Sequence, residues 1–151
     1  MIFVTVGTGK FDELIKKIDM TAANINEKII SQIGKGDYIP KNAEYFRFKP
    51  SLMPYYRKAR LIISHGGAGT TYELLEMGKK IISLANPNRT DVHQEEILKA
   101  LSKDNYLIWC KNPGELEETI RKAKAFQFRK YTPPECKIAE KIREFLKKCA
   151  A

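Results

Sequence analysis

The sequence predicts an α/β fold, a parallel sheet with helices on both faces, built as a single domain over residues 1–151. Three observations carry this. Short β-branched and aromatic runs alternate with stretches of helical spacing along the whole chain, the pattern of repeated strand–helix units. Glycine-rich breaks follow several of the runs, at Gly7-Thr8-Gly9, at Gly34 and Gly36, and at Gly66-Gly67-Ala68-Gly69. A length of 151 residues, 43% hydrophobic and 30% charged, is ordinary globular material with enough chain for one core.

Taken in order, residues 2–6 form a first strand stopped by Gly7. Residues 11–24 have helical spacing at Leu14, Ile15 and Ile18. Residues 28–33 read as a second strand and 45–48 as a short third strand closed by Pro50. Ser51 is a suitable N-cap for an amphipathic turn containing Leu52, Met53 and Tyr56. Residues 61–64 are a buried strand, 65–69 a glycine loop, and 70–77 a helix stopped by Gly78. Strand 80–85, polar loop 86–92, helix 93–102, strand 106–110 and helix 113–125 follow. Pro133-Pro134 then marks a joint before a terminal amphipathic helix at about 135–148. No repeat, low-complexity tract or interdomain linker interrupts the series.

Composition narrows the setting. No stretch approaches the ~20 apolar residues of a spanning helix, and residues 2–6 lack the basic leader and cleavage site of a signal peptide. Cys110, Cys136 and Cys149 are odd in number and unpaired by spacing, so free thiols in the reducing cytoplasm are expected. The net charge of +9 is spread along the chain without a nucleic-acid signature, so no nucleic-acid partner is expected. A solvated Lys- and Glu-rich surface explains most of it. Lys137, Lys141, Arg143, Lys147 and Lys148 crowd the last helix, which also suits anionic lipid.

The strongest local signal is Ser64-His65-Gly66-Gly67-Ala68-Gly69-Thr70-Thr71, between a strand and a helix. Open α/β sheets bind phosphates at that junction, where helix N–H groups and the positive dipole end meet an anion. The loop is neither a Walker A motif nor a dinucleotide fingerprint, since Asp12 stands where a third glycine should follow Gly7-x-Gly9. A tight packing turn is the plain alternative. Glu73, one turn into the helix, suits a pair of sugar hydroxyls or simply complements the dipole. Asn86-Pro87-Asn88-Arg89-Thr90-Asp91-Val92-His93-Gln94-Glu95 follows the next strand, so crossover topology puts it beside the glycine loop. There Asp91 is an expected N-cap, and His93 and Gln94 enter the first turn with hydrogen-bonding groups for a neutral sugar. His65 and His93 lie on separate loops with no second ligand at helical spacing, so no metal is expected. A triad from Ser64, His93 and Asp91 lacks the nucleophile-elbow pattern.

Together these clusters resemble the C-terminal, donor-binding half of family 28 glycosyltransferases, in its small stand-alone Alg13-like form with a bacterial exopolysaccharide counterpart. The resemblance runs from Val4-Thr5-Val6-Gly7-Thr8 and Phe11-Asp12-Glu13-Leu14-Ile15 through Gln32-Ile33-Gly34 and residues 59–70. It continues to Glu73-Leu74, Gly78-Lys79, Asn86 and Asp91-Val92-His93-Gln94-Glu95. It implies a Rossmann-like sheet that is one half of a two-domain GT-B enzyme. It implies diphosphate binding by His65, Gly66, Gly67, Ala68, Gly69 and Thr70, and ribose binding by Glu73. Asn86, His93 and Gln94 would contact the transferred sugar, and Phe48 with the backbone of Lys49 the uracil. Gly7 and Thr8 would lie near the acceptor, in a first-strand loop one residue tighter than in relatives.

The reaction so implied moves N-acetylglucosamine, or a related sugar, from a UDP-sugar with inversion, needing no cofactor and no metal. The helix N-terminus and His65 would stabilise the leaving group. The chain offers no clear general base; His93 is the weak candidate, and the base is expected on a partner. One domain of ~150 residues supplies half of a cleft. The partner implied is a membrane-anchored Alg14-like subunit holding a lipid-linked acceptor, which would keep this cytoplasmic chain at the membrane. A non-catalytic nucleotide-sugar-binding regulatory module is the alternative, and the broken fingerprint at Gly7-x-Gly9 disfavours an NAD- or FAD-binding domain.

Overall fold

A computed structural model describes residues 1–88 and 93–150. Six parallel strands, β1 (Ile2–Thr5), β2 (Ile29–Gln32), β3 (Glu44–Phe46), β4 (Leu61–Ser64), β5 (Ile81–Ser83) and β6 (Ile108–Trp109), form one sheet in the order β3-β2-β1-β4-β5-β6. This is the doubly wound arrangement, in which chain direction across the sheet reverses between β1 and β4.

Each central strand is buried on both faces, which is why its sequence is a continuous apolar run. Alternate residues feed two cores. Ile2, Val4, Leu61, Ile63 and Ile82 pack under helices α1 (Asp12–Ala22) and α5 (Leu116–Lys122). Phe3, Ile62 and Ile81 pack under α2 (Met53–Lys58), α3 (Ala68–Glu76) and α4 (His93–Lys103). A last helix, α6 (Ile138–Ala150), follows Pro133-Pro134.

Local chemistry sets the boundaries, several of which shift from expectation. Ser51 does cap α2, its hydroxyl accepting from Met53 N–H at 3.2 Å, although Leu52 occupies the N-cap position. The helix expected at 113–125 opens instead as a 3-10 turn, Pro113–Glu115, because Asn112 accepts from Gly114 N–H and tightens it. Gly78 ends α3 as expected. At φ +67° it lets Lys79 N–H reach back to Leu74 C=O at 3.0 Å. The expected N-cap Asp91 lies outside the described residues.

The β2–β3 crossover has no helix and is held by carboxylates of α1: Asp12 accepts from Tyr38 N–H at 3.1 Å, and Asp19 takes the larger share. Buried Asp19, on α1, accepts from the N–H groups of Lys41 (2.9 Å), Asn42 (2.6 Å) and Ala43 (3.1 Å) and from the Tyr38 hydroxyl (2.8 Å). Burial raises its pKa, but these donors outweigh burial and hold it below the ordinary 3.8. The unfolded chain therefore binds more protons in acid. Asp19's stabilisation is complete above pH 3.8 and is lost as pH falls through the lower folded-state value. Asp19→Ala is expected to cost about 3 kcal/mol at neutral pH by urea denaturation. The difference from wild type should shrink below pH 4; a constant difference would remove the carboxylate from this role.

Candidate functional site

The sheet's switch point lies between β1 and β4, and ligands of open α/β sheets bind outside the strand carboxyl ends there. The two segments that leave these ends are Gly7–Lys10 and His65–Gly67, so the topology brings both glycine loops together. His65 is the contact between them. Its ring is buried, with Nδ1 3.4 Å from the carbonyl of Thr5. A Cβ at Gly7 would lie 2.8 Å from the ring Cε1, and one at Gly67 would lie 2.6 Å from Nε2. The imidazole fills the space that two side chains would otherwise occupy.

The following helix starts two residues earlier than its sequence suggested, at Ala68 rather than Thr70. Gly67 becomes the N-cap and has no side chain to cap with, and the first intrahelical bond runs from Thr71 N–H to Gly67 C=O at 2.9 Å. The N–H groups of Ala68, Gly69 and Thr70 therefore have no intrahelical acceptor. The first turns of α1, α4, α5 and α6 carry acidic residues, and α2 has Ser51; α3 has neither device.

The loop's glycines divide by cause. Gly66 has φ +70°, and a Cβ there would meet Leu84 O at 3.0 Å and Leu98 Cδ1 at 3.1 Å; Gly67 is required by His65. Gly69 has nothing within 4 Å. Packing gives no reason for glycine at that position, where alanine would favour the helix by up to ~1 kcal/mol. Glu73 is exposed four residues on, the next position along the same helix face. Its negative charge also acts on the buried Tyr56, whose hydroxyl is pushed up to about 12, first by burial and then by Glu73.

The loop after β5 is tied into the same edge of the sheet. Asn86 is buried and its side chain is already committed: Nδ2 donates to Lys10 C=O at 2.9 Å and Oδ1 accepts from Asn88 N–H at 3.0 Å. Asn86 thus joins this loop to the first-strand loop. Gln94 is buried and accepts from Asn86 N–H at 3.1 Å, while its Nε2 has no hydrogen-bond partner among the described residues. His93 is exposed, and its Nδ1 lies 3.2 Å from Glu96 Oε2. Arg89, Thr90, Asp91 and Val92 lie outside the described residues. On the β3 side, Phe48 is exposed, and the Lys49 ammonium sits 4.9 Å over both the Phe46 and Tyr55 rings and bonds to the Tyr55 hydroxyl. Among the described residues no three His, Cys, Asp or Glu side chains converge on a metal position.

Compared with known families, residues 1–149 match the glycosyltransferase family 28 C-terminal domain. The chain belongs to that family. The human "UDP-N-acetylglucosamine transferase subunit ALG13" is 37% identical over 125 residues, covering 72% of this chain and 11% of that protein. A Flavobacterium psychrophilum "UDP-N-acetylglucosamine--N-acetylmuramyl-(pentapeptide) pyrophosphoryl-undecaprenol N-acetylglucosamine transferase" is 31% identical, covering 64% of this chain and 28% of that enzyme. The crystal structure of Acinetobacter baumannii MurG superposes with a TM-score of 0.71 at 19% identity, covering 97% of this chain and 49% of that one. In fold, then, the chain is one half of a GT-B glycosyltransferase, and it spans less than half the length of these relatives.

Within this family 28 domain the residue that sequence reasoning left without a role is Gln32. Its Oε1 accepts from Thr5 Oγ1 at 2.6 Å, and its Nε2 donates to Gly7 C=O at 2.6 Å and to Arg47 C=O at 3.2 Å. One buried side chain therefore ties the first-strand loop to the backbone beside Phe48. The signal was a polar residue closing an apolar strand. Gly67→Ala should lower stability by about 1–3 kcal/mol in thermal or urea unfolding, because its methyl meets the His65 ring. An unchanged unfolding free energy would mean that the ring does not occupy that position.

Proposed function

We propose that the chain is the donor-binding, catalytic subunit of an inverting glycosyltransferase that moves N-acetylglucosamine, or a related sugar, from a UDP-sugar to a lipid-linked acceptor. The observation that carries this is the N-terminus of α3. It lies at the sheet's switch point with three N–H groups lacking intrahelical acceptors, no acidic residue in its first turn, and open space at Gly69. A diphosphate fits each of these features, since it brings the negative charge that the helix end lacks and needs a close backbone approach.

The remaining assignments follow outward. Gly66, Gly67, Ala68, Gly69 and Thr70 receive the diphosphate, with His65 setting the loop beneath it. Glu73 takes the ribose hydroxyls, and Phe48 with the Lys49 backbone takes the uracil. The unmade hydrogen bond of Gln94 Nε2 is directed to the transferred sugar. Departure of UDP places negative charge on the diphosphate, and helix N–H groups fixed beforehand stabilise it without reorganising. Gly7 and Thr8 face the acceptor side, Thr8 being exposed at the rim. The base that takes the acceptor proton is supplied by a second, membrane-anchored Alg14-like subunit, which also holds the acceptor and keeps this chain at the cytoplasmic membrane face. The names of two relatives support this reading: one is a transferase "subunit", and the other a transferase named for a pyrophosphoryl-undecaprenol substrate.

Ligand-observed NMR of the purified chain tests the donor site. Saturation should pass to uridine and sugar protons of UDP-N-acetylglucosamine, and ATP or NAD should give weaker signals. Equal or stronger signals from ATP or NAD would sink the assignment. Gly69→Ala separates ligand from fold. Its melting temperature should hold or rise, while UDP affinity falls about tenfold or more; unchanged affinity would detach the diphosphate from α3. Glu73→Ala should weaken UDP-sugar binding by about 1–2 kcal/mol, and Gln94→Glu should weaken UDP-N-acetylglucosamine while sparing UDP.

A further inference from the structure

The last register of the sheet sets Phe46, Gln32, Thr5, Ser64 and Ser83 side by side across β3, β2, β1, β4 and β5. Thr5 comes two residues after Phe3 and so shares the face that lies under α2 and α3. Gln32, Thr5, Ser64 and Ser83 are polar and buried, and buried polar groups need partners. Ser64 and Ser83 satisfy each other at 3.0 Å. Thr5 and Gln32 bond outward, into the loops.

Counting protons gives the direction of those bonds. Two acceptors, Gly7 C=O and Arg47 C=O, fix the Gln32 amide with its nitrogen toward the loops and Oε1 toward Thr5. The single Thr5 hydroxyl proton goes to Oε1, so Thr5 Oγ1 accepts from Gly7 N–H at 3.2 Å and from the Tyr56 hydroxyl. Tyr56 on α2, Thr5 on β1 and Gln32 on β2 therefore form one buried series that ends on Arg47 C=O.

Arg47 is where the chain needs such a hold. β3 is the edge strand and pairs only with β2, and beyond it the last ladder bond runs from Ile33 N–H to Phe46 C=O at 2.9 Å. Gln32 Nε2 carries the ladder one residue further, with a side chain in place of a strand. The Arg47 guanidinium adds bonds to Gly34 C=O at 3.2 Å and Gly36 C=O at 2.7 Å. Past this point the N–H and C=O of Phe48 and Lys49 form no main-chain hydrogen bond among the described residues, and the Lys49 ammonium is engaged by the Phe46 and Tyr55 rings. A main-chain N–H beside a C=O complements the O4 acceptor and N3–H donor of uracil. Cytosine reverses both, bringing a donor to the N–H and a lone pair to the C=O. Hydrogen bonds weaken steeply with misalignment, so this discrimination is only as sharp as the backbone is fixed.

We propose that Gln32, oriented by Thr5 and Tyr56, is the positioning residue through which the donor site selects uracil over cytosine. This deepens the donor-site reading and rests on it. Gln32 acts on the base and not on the diphosphate, because the N–H groups that face the diphosphate are held by α3 itself.

Dissociation constants of UDP, CDP and pyrophosphate for the full chain, from NMR titration, test this. Wild type should prefer UDP to CDP about tenfold or more, the weight of one correctly read base edge. Gln32→Met should cut that preference to about twofold or less while pyrophosphate affinity stays within about twofold. Thr5→Val keeps a β-branched strand residue but removes the hydroxyl that orients the amide. It should shrink the preference in the same direction, and Thr5→Ser should restore it; this pair carries the test where Gln32→Met fails to fold by circular dichroism. A UDP preference that survives both Gln32→Met and Thr5→Val overturns the proposal. So does a parallel loss of all three ligands, which would make Gln32 a support of the fold alone. Equal binding of UDP and CDP by wild type overturns it too, while leaving the diphosphate site standing. Wild type that binds neither UDP nor pyrophosphate would overturn the donor-site reading, and this inference with it.

Discussion

The carboxyl edge of this sheet depends on the position of one imidazole. His65 leaves β4 at the switch point and turns into the space above β1, where only residues without side chains can accommodate it. That single placement requires glycine at Gly7 and at Gly67, which belong to different loops 60 residues apart. It also makes Gly67 an N-cap with nothing to cap with, so that the start of α3 is left open. A packing constraint within the core thereby produces an uncompensated helix end at the surface. The same glycines that look like ligand-binding glycines in sequence are in large part consequences of the histidine.

The loops around that helix end are fixed to one another and not only to the sheet. Gln32 holds Gly7 C=O, Lys35 N–H donates to Gly9 C=O at 2.9 Å, and Asn86 holds Lys10 C=O. The segment Gly7–Lys10 is therefore pinned from the β2 side and the β5 side in turn. Gln94 extends the series by accepting from Asn86 N–H, which links the first turn of α4 to the same set. Donors fixed this way do not spend ordering entropy when a ligand arrives. The hydrogen bonds thus join the segments that follow β1, β2 and β5 into one connected set.

The fold was legible because buried parallel strands write themselves as apolar runs and glycine or proline breaks them. Boundaries were less legible. The start of α3 moved to Ala68 because backbone geometry set by His65 decides it, and no residue at 66–69 carries a cap that sequence could register. In the site, His65 and the glycine loop were visible as an ordered motif. What each glycine is for was not, since that requires knowing which atoms lie within 4 Å of an absent Cβ. Asn86 carries a contact that its sequence position did not reveal: its amide donates to Lys10 C=O, 76 residues away. Gln32 was recognisable as polar at a strand end, but its three partners lie at the ends of β1 and β3 and no spacing rule connects them.

Local rules are broken selectively in this molecule, and the pattern of breakage is informative. Where a helix start serves only the fold, the sequence supplies a device: Asp12 and Glu13 at α1, Glu117 and Glu118 at α5, Ser51 at α2. Where packing requires a glycine, a neighbouring atom demands it, as Leu84 O and Leu98 do at Gly66. At α3 the acid and the cap are both absent, and at Gly69 a helix-weakening residue persists with no neighbour to demand it. Either lapse alone would be a small loss of stability. Both occur within one turn, near the Gln94 amide, whose Nε2 has no hydrogen-bond partner among the described residues.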